Sequence, residues 1–114
     1  MDSENKDTVS ISLKFLDGSI GTINYFSNGA NSVSKERLEV FVGNKILHLD
    51  NYRKLFGYGW TGFKKLNLWK QDKGQNCCVA EFVDAVAEKK SSPIAFEEIL
   101  EVSRTTIEIS DALK

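Results

Sequence analysis

The sequence has almost no net charge, only two cysteines, a single histidine and no long apolar run, and each shortage closes off a class of function. Fifteen Lys and Arg stand against sixteen Asp and Glu, leaving a formal charge of −1. No global field therefore draws the chain to nucleic acid or to an anionic membrane, and a charged partner has to be met by a local patch. No window approaches the ~20 apolar residues of a membrane span, and residues 1–7 are polar and acidic, unlike a secretory signal. They are expected to form a disordered N-terminal extension. Cys77 and Cys78 are adjacent, so on a helix or strand their side chains diverge, which disfavours a structural disulfide and fits free thiols in a reducing cytoplasm. One histidine and a vicinal cysteine pair do not supply the spaced ligands of a zinc site, and no metal residue is assigned.

What is present is enough for one globular domain, expected over residues 8–114: 114 residues, 41% of them hydrophobic. Val9, Ile11, Leu13 and Phe15 alternate with Ser10, Ser12 and Lys14, the period of a half-buried strand. Asp17-Gly18 marks a turn, and the β-branched and aromatic stretch Ile20 to Phe26 completes a hairpin. After a loop-like segment from Phe26 to Ser32, Glu36 to Val42 and Lys45 to Leu49 flank Gly43-Asn44, the signal of a second hairpin. Asn51 to Phe56 fits either a strand or a turn. Phe63 to Trp69, with Leu66 and Leu68 alternating against Lys65 and Asn67, is expected to be an edge strand because of its lysines.

Beyond Gly74 the period lengthens. Val79, Phe82, Val83, Val86 and Ala87 follow the spacing of an amphipathic helix, with Glu81, Asp84 and Glu88 off the stripe. Pro93 separates it from a second helix expected from Phe96 to Leu113, with Ile99, Leu100, Ser103, Ile107, Ser110 and Leu113 as its buried stripe and Glu97 and Glu98 in the first turn. Strands first and helices last predict an α+β fold, an open antiparallel sheet with two C-terminal helices on one face.

Gly57-Tyr58-Gly59-Trp60-Thr61-Gly62 matches the glycine pattern that presents backbone N–H groups to a dinucleotide pyrophosphate. That mechanism needs a helix opening from the last glycine. A strand-like segment follows instead, so a glycine-rich surface loop is the expected reading. His48 could pair with Asp50 on the same strand face as a general base, but no pocket is implied and a strand-surface histidine is the simpler account. Arg53, Lys54, Lys64, Lys65, Lys70 and Lys73, interleaved with Tyr52, Tyr58, Trp60 and Trp69, suit a phosphate or nucleotide-sugar contact. Edge-strand lysines explain them equally. The pI of 5.8 and the lack of an RNA-binding motif speak against nucleic acid.

Asp17-Gly18-Ser19-Ile20-Gly21-Thr22-Ile23, Lys35-Glu36-Arg37-Leu38-Glu39-Val40-Phe41, Gln71-Asp72-Lys73-Gly74 and Ser92-Pro93-Ile94-Ala95-Phe96-Glu97-Glu98-Ile99 occur here in that order. With them, the stretch from Val9 to Leu113 resembles the C-terminal domain of Gfo/Idh/MocA-family NAD(P)-dependent oxidoreductases. The resemblance implies an antiparallel sheet that lines a substrate pocket and makes homo-oligomer contacts through its face. It also implies a sugar, polyol or nucleotide-sugar substrate, and a Rossmann half, absent from this sequence, that holds NAD or NADP. The family's Glu-Lys-Pro segment and Asp/His pair are missing, and Gln75 stands where relatives often carry His. No catalytic and no cofactor-binding residue is therefore carried over, and the chain by itself is expected to be inactive. Arg53, Trp60, Lys73 and Gln75 are the residues expected at the substrate pocket or a phosphate. A free-standing ligand-binding or protein-interaction module without catalysis is the alternative. Neither nucleic acid nor membrane is an expected partner.

Overall fold

In the computed structural model, which describes residues 8–113, the chain is α+β, with open antiparallel sheets followed by two helices. The disordered extension expected over residues 1–7 lies outside the described residues. The strands form two sheets, one of two strands and one of four, where a single sheet was expected. The chain divides into two compact units, residues 34–98 and the flanking residues up to 33 and from 99 onward.

In the flanking unit, β1 (Thr8–Lys14) pairs with β2 (Ile20–Phe26). Val9, Ile11 and Leu13 lie opposite Tyr25, Ile23 and Gly21, so the alternation seen in the sequence becomes one face of the hairpin. The turn is set by Gly18, whose φ of 88° suits glycine, with its N–H donating to the Phe15 carbonyl. Asp17 accepts the Ser19 N–H, and chiefly that bond lowers its pKa from the ordinary carboxylate value.

The central unit is a meander in the order β3 (Arg37–Val42), β4 (Lys45–Asp50), β5 (Lys54–Tyr58) and β6 (Lys65–Asn67). The β3–β4 turn has Gly43 and Asn44 at positive φ, the two-residue geometry that matches strand twist. The ambiguous Asn51 to Phe56 stretch resolves into a turn and then β5. Asn51 and Tyr52 both adopt positive φ, 54° and 49°, and the Arg53 N–H closes the turn on the Asp50 carbonyl. β6 is shorter than Phe63 to Trp69, and at its C-terminal end this is because its partner runs out: Lys54 opposite Asn67 is the last pair before the turn.

The register sorts the meander's side chains. Arg37, Asp50, Lys54 and Asn67 form one cross-strand row, Glu39, His48, Phe56 and Lys65 the next, and Phe41, Ile46 and Tyr58 a third, all on one face. The other face carries Leu38, Val40 and Val42, then Leu47 and Leu49, then Leu55, then Leu66.

α1 (Gln75–Ala87) and α2 (Phe96–Ala112) form close to where the sequence places them. In α2, Ser103 and Thr106 return their hydroxyls to the Ile99 and Val102 carbonyls one turn back. The expected covering of a sheet face by the helices differs from what is found. Val79, Phe82, Val83 and Val86 of α1 and Ile99, Leu100, Ile107 and Leu113 of the second stripe are exposed, and Ala85 is the one buried residue among those described. Apolar periodicity specifies which side of a helix seeks burial but not the surface that provides it.

Candidate functional site

Polar and aromatic chemistry gathers at the end of the meander where β4 turns into β5. The strained turn there is held from outside. Glu36 accepts the Asn51 N–H at its carbonyl, and the Tyr52 carbonyl accepts the Asp72 N–H. Tyr52, a bulky residue at φ 49°, is in a region that costs about 1–3 kcal/mol unless its surroundings fix it, and these bonds are what fix it. Arg53 clasps Leu68 twice: its carbonyl accepts the Leu68 N–H, and its Nε donates to the Leu68 carbonyl at 3.1 Å. Gln71 donates to Asn51 Oδ1 at 2.8 Å. Lys73 Nζ lies 2.5 Å from Glu36 Oε1 and 5.8 Å from the centre of the Tyr52 ring. The hydrogen bond from Lys73 is the main reason the Glu36 carboxyl sits below its ordinary pKa, with the lysine's charge adding to it.

These bonds lay residues 68–74 along the turn and deliver the chain to the start of α1. Gly74 is the residue before the helix, left-handed at φ 77°, and its N–H donates to Asp72 Oδ1. Between the strap and the first turn of α1 lies an open hollow of about 560 Å³, lined by Leu68, Trp69, Lys70, Gln71, Asp72, Gln75, Asn76 and Cys77. That volume is within the range of small-molecule sites, about 300–1,000 Å³.

Of the four residues expected at a pocket, Gln75 lines the hollow, whereas Arg53, bonded to Leu68, and Lys73, bonded to Glu36, do not line it. Trp60 is elsewhere. Its indole N–H donates to the Ile46 carbonyl at 3.1 Å, with Lys45 Nζ 4.8 Å from the ring centre. Ile46 and Asp50 are four residues apart on β4, roughly 13 Å at strand rise, so Trp60 serves the opposite end of the sheet. Trp69 and Lys70, which belong to the basic, aromatic stretch seen in the sequence, also line the hollow, and Asn76 joins them from α1 without having been expected there.

The glycine motif is a connection between strands. Gly57 and Tyr58 belong to β5, and β6 follows Gly62 with no helix between. A Cβ on Gly57 would sit 2.6 Å from the Phe63 ring, and one on Gly59 would sit 2.8 Å from the Asn44 carbonyl oxygen. Both glycines are explained by close packing inside the chain, and no backbone cradle at a helix N-terminus exists here for a pyrophosphate. The residues present do not fit a dinucleotide at this loop.

His48 turns its Nδ1 to Glu39 across the strand pair, at 3.7 Å, and meets the Phe56 ring edge-on with centroids 6.2 Å apart. The partner of the imidazole is thus Glu39 where Asp50 was considered. Cys77 and Cys78 are free and exposed. Among the described residues no three His, Cys, Asp or Glu gather to hold a metal, and no helix is long and apolar enough to cross a membrane. No protein-family model, no curated protein and no solved structure matches the chain.

Proposed function

We propose that the chain is the substrate-pocket and self-association domain of a cytoplasmic NAD(P)-dependent oxidoreductase of the Gfo/Idh/MocA type, inactive by itself and working beside a dinucleotide-binding domain. Its substrate is a sugar, polyol or nucleotide-sugar hydroxyl. The observation that carries this reading is the pairing of an open hollow beside the strap, whose residues are bonded to Arg53 and Glu36, with apolar faces that are regular and exposed. Leu38, Val40, Val42 and Leu66 on one side of the meander and Val79, Phe82, Val83 and Val86 on α1 are exposed in register, and contiguous apolar patches of this kind mark protein interfaces. A domain that lends a pocket wall to a larger enzyme needs both features and needs no catalytic acid or base of its own. In that enzyme the chain's own groups bind and orient, with Gln75 and the strap between β6 and α1 bounding the substrate. The hydride chemistry belongs to the cofactor in the other domain.

The test is sedimentation equilibrium of the isolated chain together with calorimetric titration by NADH and NADPH. Concentration-dependent self-association without saturable dinucleotide binding is expected. Saturable binding of NADH lost in Gly59→Val would overturn the assignment of roles, and a strictly monomeric chain would remove self-association.

A free-standing protein-interaction module is the second reading, favoured by the same uncovered faces. It predicts tight capture of an unrelated polypeptide and indifference to every sugar and polyol.

A further inference from the structure

Trp69 is the most exposed aromatic side chain in the structure, at 91%. It belongs to none of the stripes that call for a covering surface: β6 ends at Asn67 and α1 begins at Gln75. The ring instead lines the hollow beside Lys70, Gln75 and Asn76. None of these four side chains has a hydrogen-bond or ion-pair partner among the described residues, whereas the neighbouring Gln71, Asp72 and Lys73 are all engaged in holding the strap. Residues 71–73 of the strap are thus fixed by internal bonds, whereas Trp69 and Lys70 of the strap and Gln75 and Asn76 of α1 line the same hollow with an indole, an ammonium and two amides not bonded within the described residues.

That combination suits one ligand chemistry. A pyranose ring has a face of C–H bonds that packs on an aromatic plane, as apolar groups do on indole, and a rim of hydroxyls that act as both donors and acceptors. The Gln75 and Asn76 amides each offer a carbonyl oxygen and an NH₂, so they can meet both roles of a hydroxyl. Lys70 adds a point charge for an anionic substituent. An open-chain polyol offers the hydroxyls but no flat C–H face, and its many torsions have to be frozen on binding.

Resting on the function proposed above, we infer that the hollow takes the pyranose ring of an anionic sugar, stacked on Trp69, in preference to an open-chain polyol. Trp69 is the specificity-determining residue. Gln75 and Asn76 take the ring hydroxyls, and Lys70 takes the anion, either a sugar carboxylate or a nucleoside diphosphate.

The experiment is calorimetric titration of the intact chain and of Trp69→Ala with UDP-glucose, UDP, glucuronate and sorbitol. UDP-glucose or glucuronate is expected to bind, sorbitol to show no saturable heat, and Trp69→Ala to weaken the sugar by roughly tenfold, the upper reach of an aromatic contact. Glucuronate binding with the same Trp69 dependence assigns the anion to the sugar's carboxylate. UDP-glucose binding without glucuronate binding assigns it to the diphosphate. The side chain is exposed, so Trp69→Ala is expected to keep the wild-type circular dichroism, and Trp60→Phe, changed at the far end of the sheet, to keep wild-type affinity. UDP binding as tightly as UDP-glucose, or equal affinities in Trp69→Ala, would overturn the stacking role. Sorbitol binding as tightly as the sugars would refute the preference for a ring while leaving the oxidoreductase reading standing. A chain that binds none of the four sinks the inference, whereas self-association and dinucleotide binding decide the broader reading independently.

Discussion

Replacing Gly59 by alanine tests how the two turns at one end of the meander are fitted together. Gly59 has φ 74°, and a Cβ there would lie 2.8 Å from the Asn44 carbonyl oxygen, a backbone atom of the β3–β4 turn. Two costs follow. Holding an alanine in the left-handed region costs about 1–2 kcal/mol, of which about 0.4–1 kcal/mol is returned by the stiffer unfolded chain. Forcing a methyl into a contact that a turn cannot readily relieve adds about 1–3 kcal/mol. Gly59→Ala should therefore lose roughly 2–4 kcal/mol. Gly62 separates the terms, because it has φ 83° but nothing within 4 Å of its Cβ position. Gly62→Ala should lose only about 1 kcal/mol. Gly29, open on all sides and without positive φ, should change stability by less than about 0.5 kcal/mol as alanine. Urea unfolding followed by tryptophan fluorescence measures the series, with Trp60 adjacent to the perturbed site. Equal losses in Gly59→Ala and Gly62→Ala would refute the close approach and return the glycine motif to a functional explanation.

Four further outcomes are expected. In Lys73→Met the Glu36 carboxyl should titrate closer to its ordinary value, read by NMR. Its pKa is lowered in the folded chain, so the contribution of this pair to stability is present above the ordinary carboxylate pKa and is lost as pH falls through the folded value. Asp17→Asn should remove the corresponding acid-side dependence of the β1–β2 hairpin, seen as a flatter stability profile below the ordinary aspartate pKa. Trp60→Phe removes the indole bond to Ile46 and should cost about 0.5–1.5 kcal/mol in the same urea assay. Cys77 and Cys78, both exposed, should react with a thiol reagent such as DTNB without denaturant and at similar rates. A thiol that reacts only after unfolding contradicts the placement of α1.

Much of the strand layout is legible in the residues because local rules agree there. The alternation from Val9 to Leu13 and the Asp17-Gly18 turn specify the first hairpin, and Gly43-Asn44 specifies the second. β5 is less legible, because its turn places Tyr52 at positive φ, a conformation that tyrosine does not advertise. The bonds fixing it come from Asp72 and Glu36, remote in sequence. The division into two sheets is likewise invisible to a period of two, which says that a strand has a buried side but not which strand is its neighbour. At the site, the cations and tryptophans were legible as a basic, aromatic stretch and Gln75 only through the family resemblance, and their grouping was not legible at all. Trp60 and Trp69 look alike in sequence and end on opposite ends of the sheet, because one side chain folds back onto Ile46 and the other follows the end of a ladder.

The pairing scheme bears on how the chain acquires its structure during synthesis. Every strand pairs only with its immediate neighbour along the chain, so each ladder closes a short loop and none waits for a distant partner. The hairpins can take up register in turn as they leave the ribosome. The exception is the Lys73 to Glu36 bond, which spans 37 positions and comes into reach only once β3 through β6 have formed. The strap beside the hollow is in this sense the last stitch of the meander. Variants that weaken it are expected to speed unfolding while leaving the folding rate nearly unchanged.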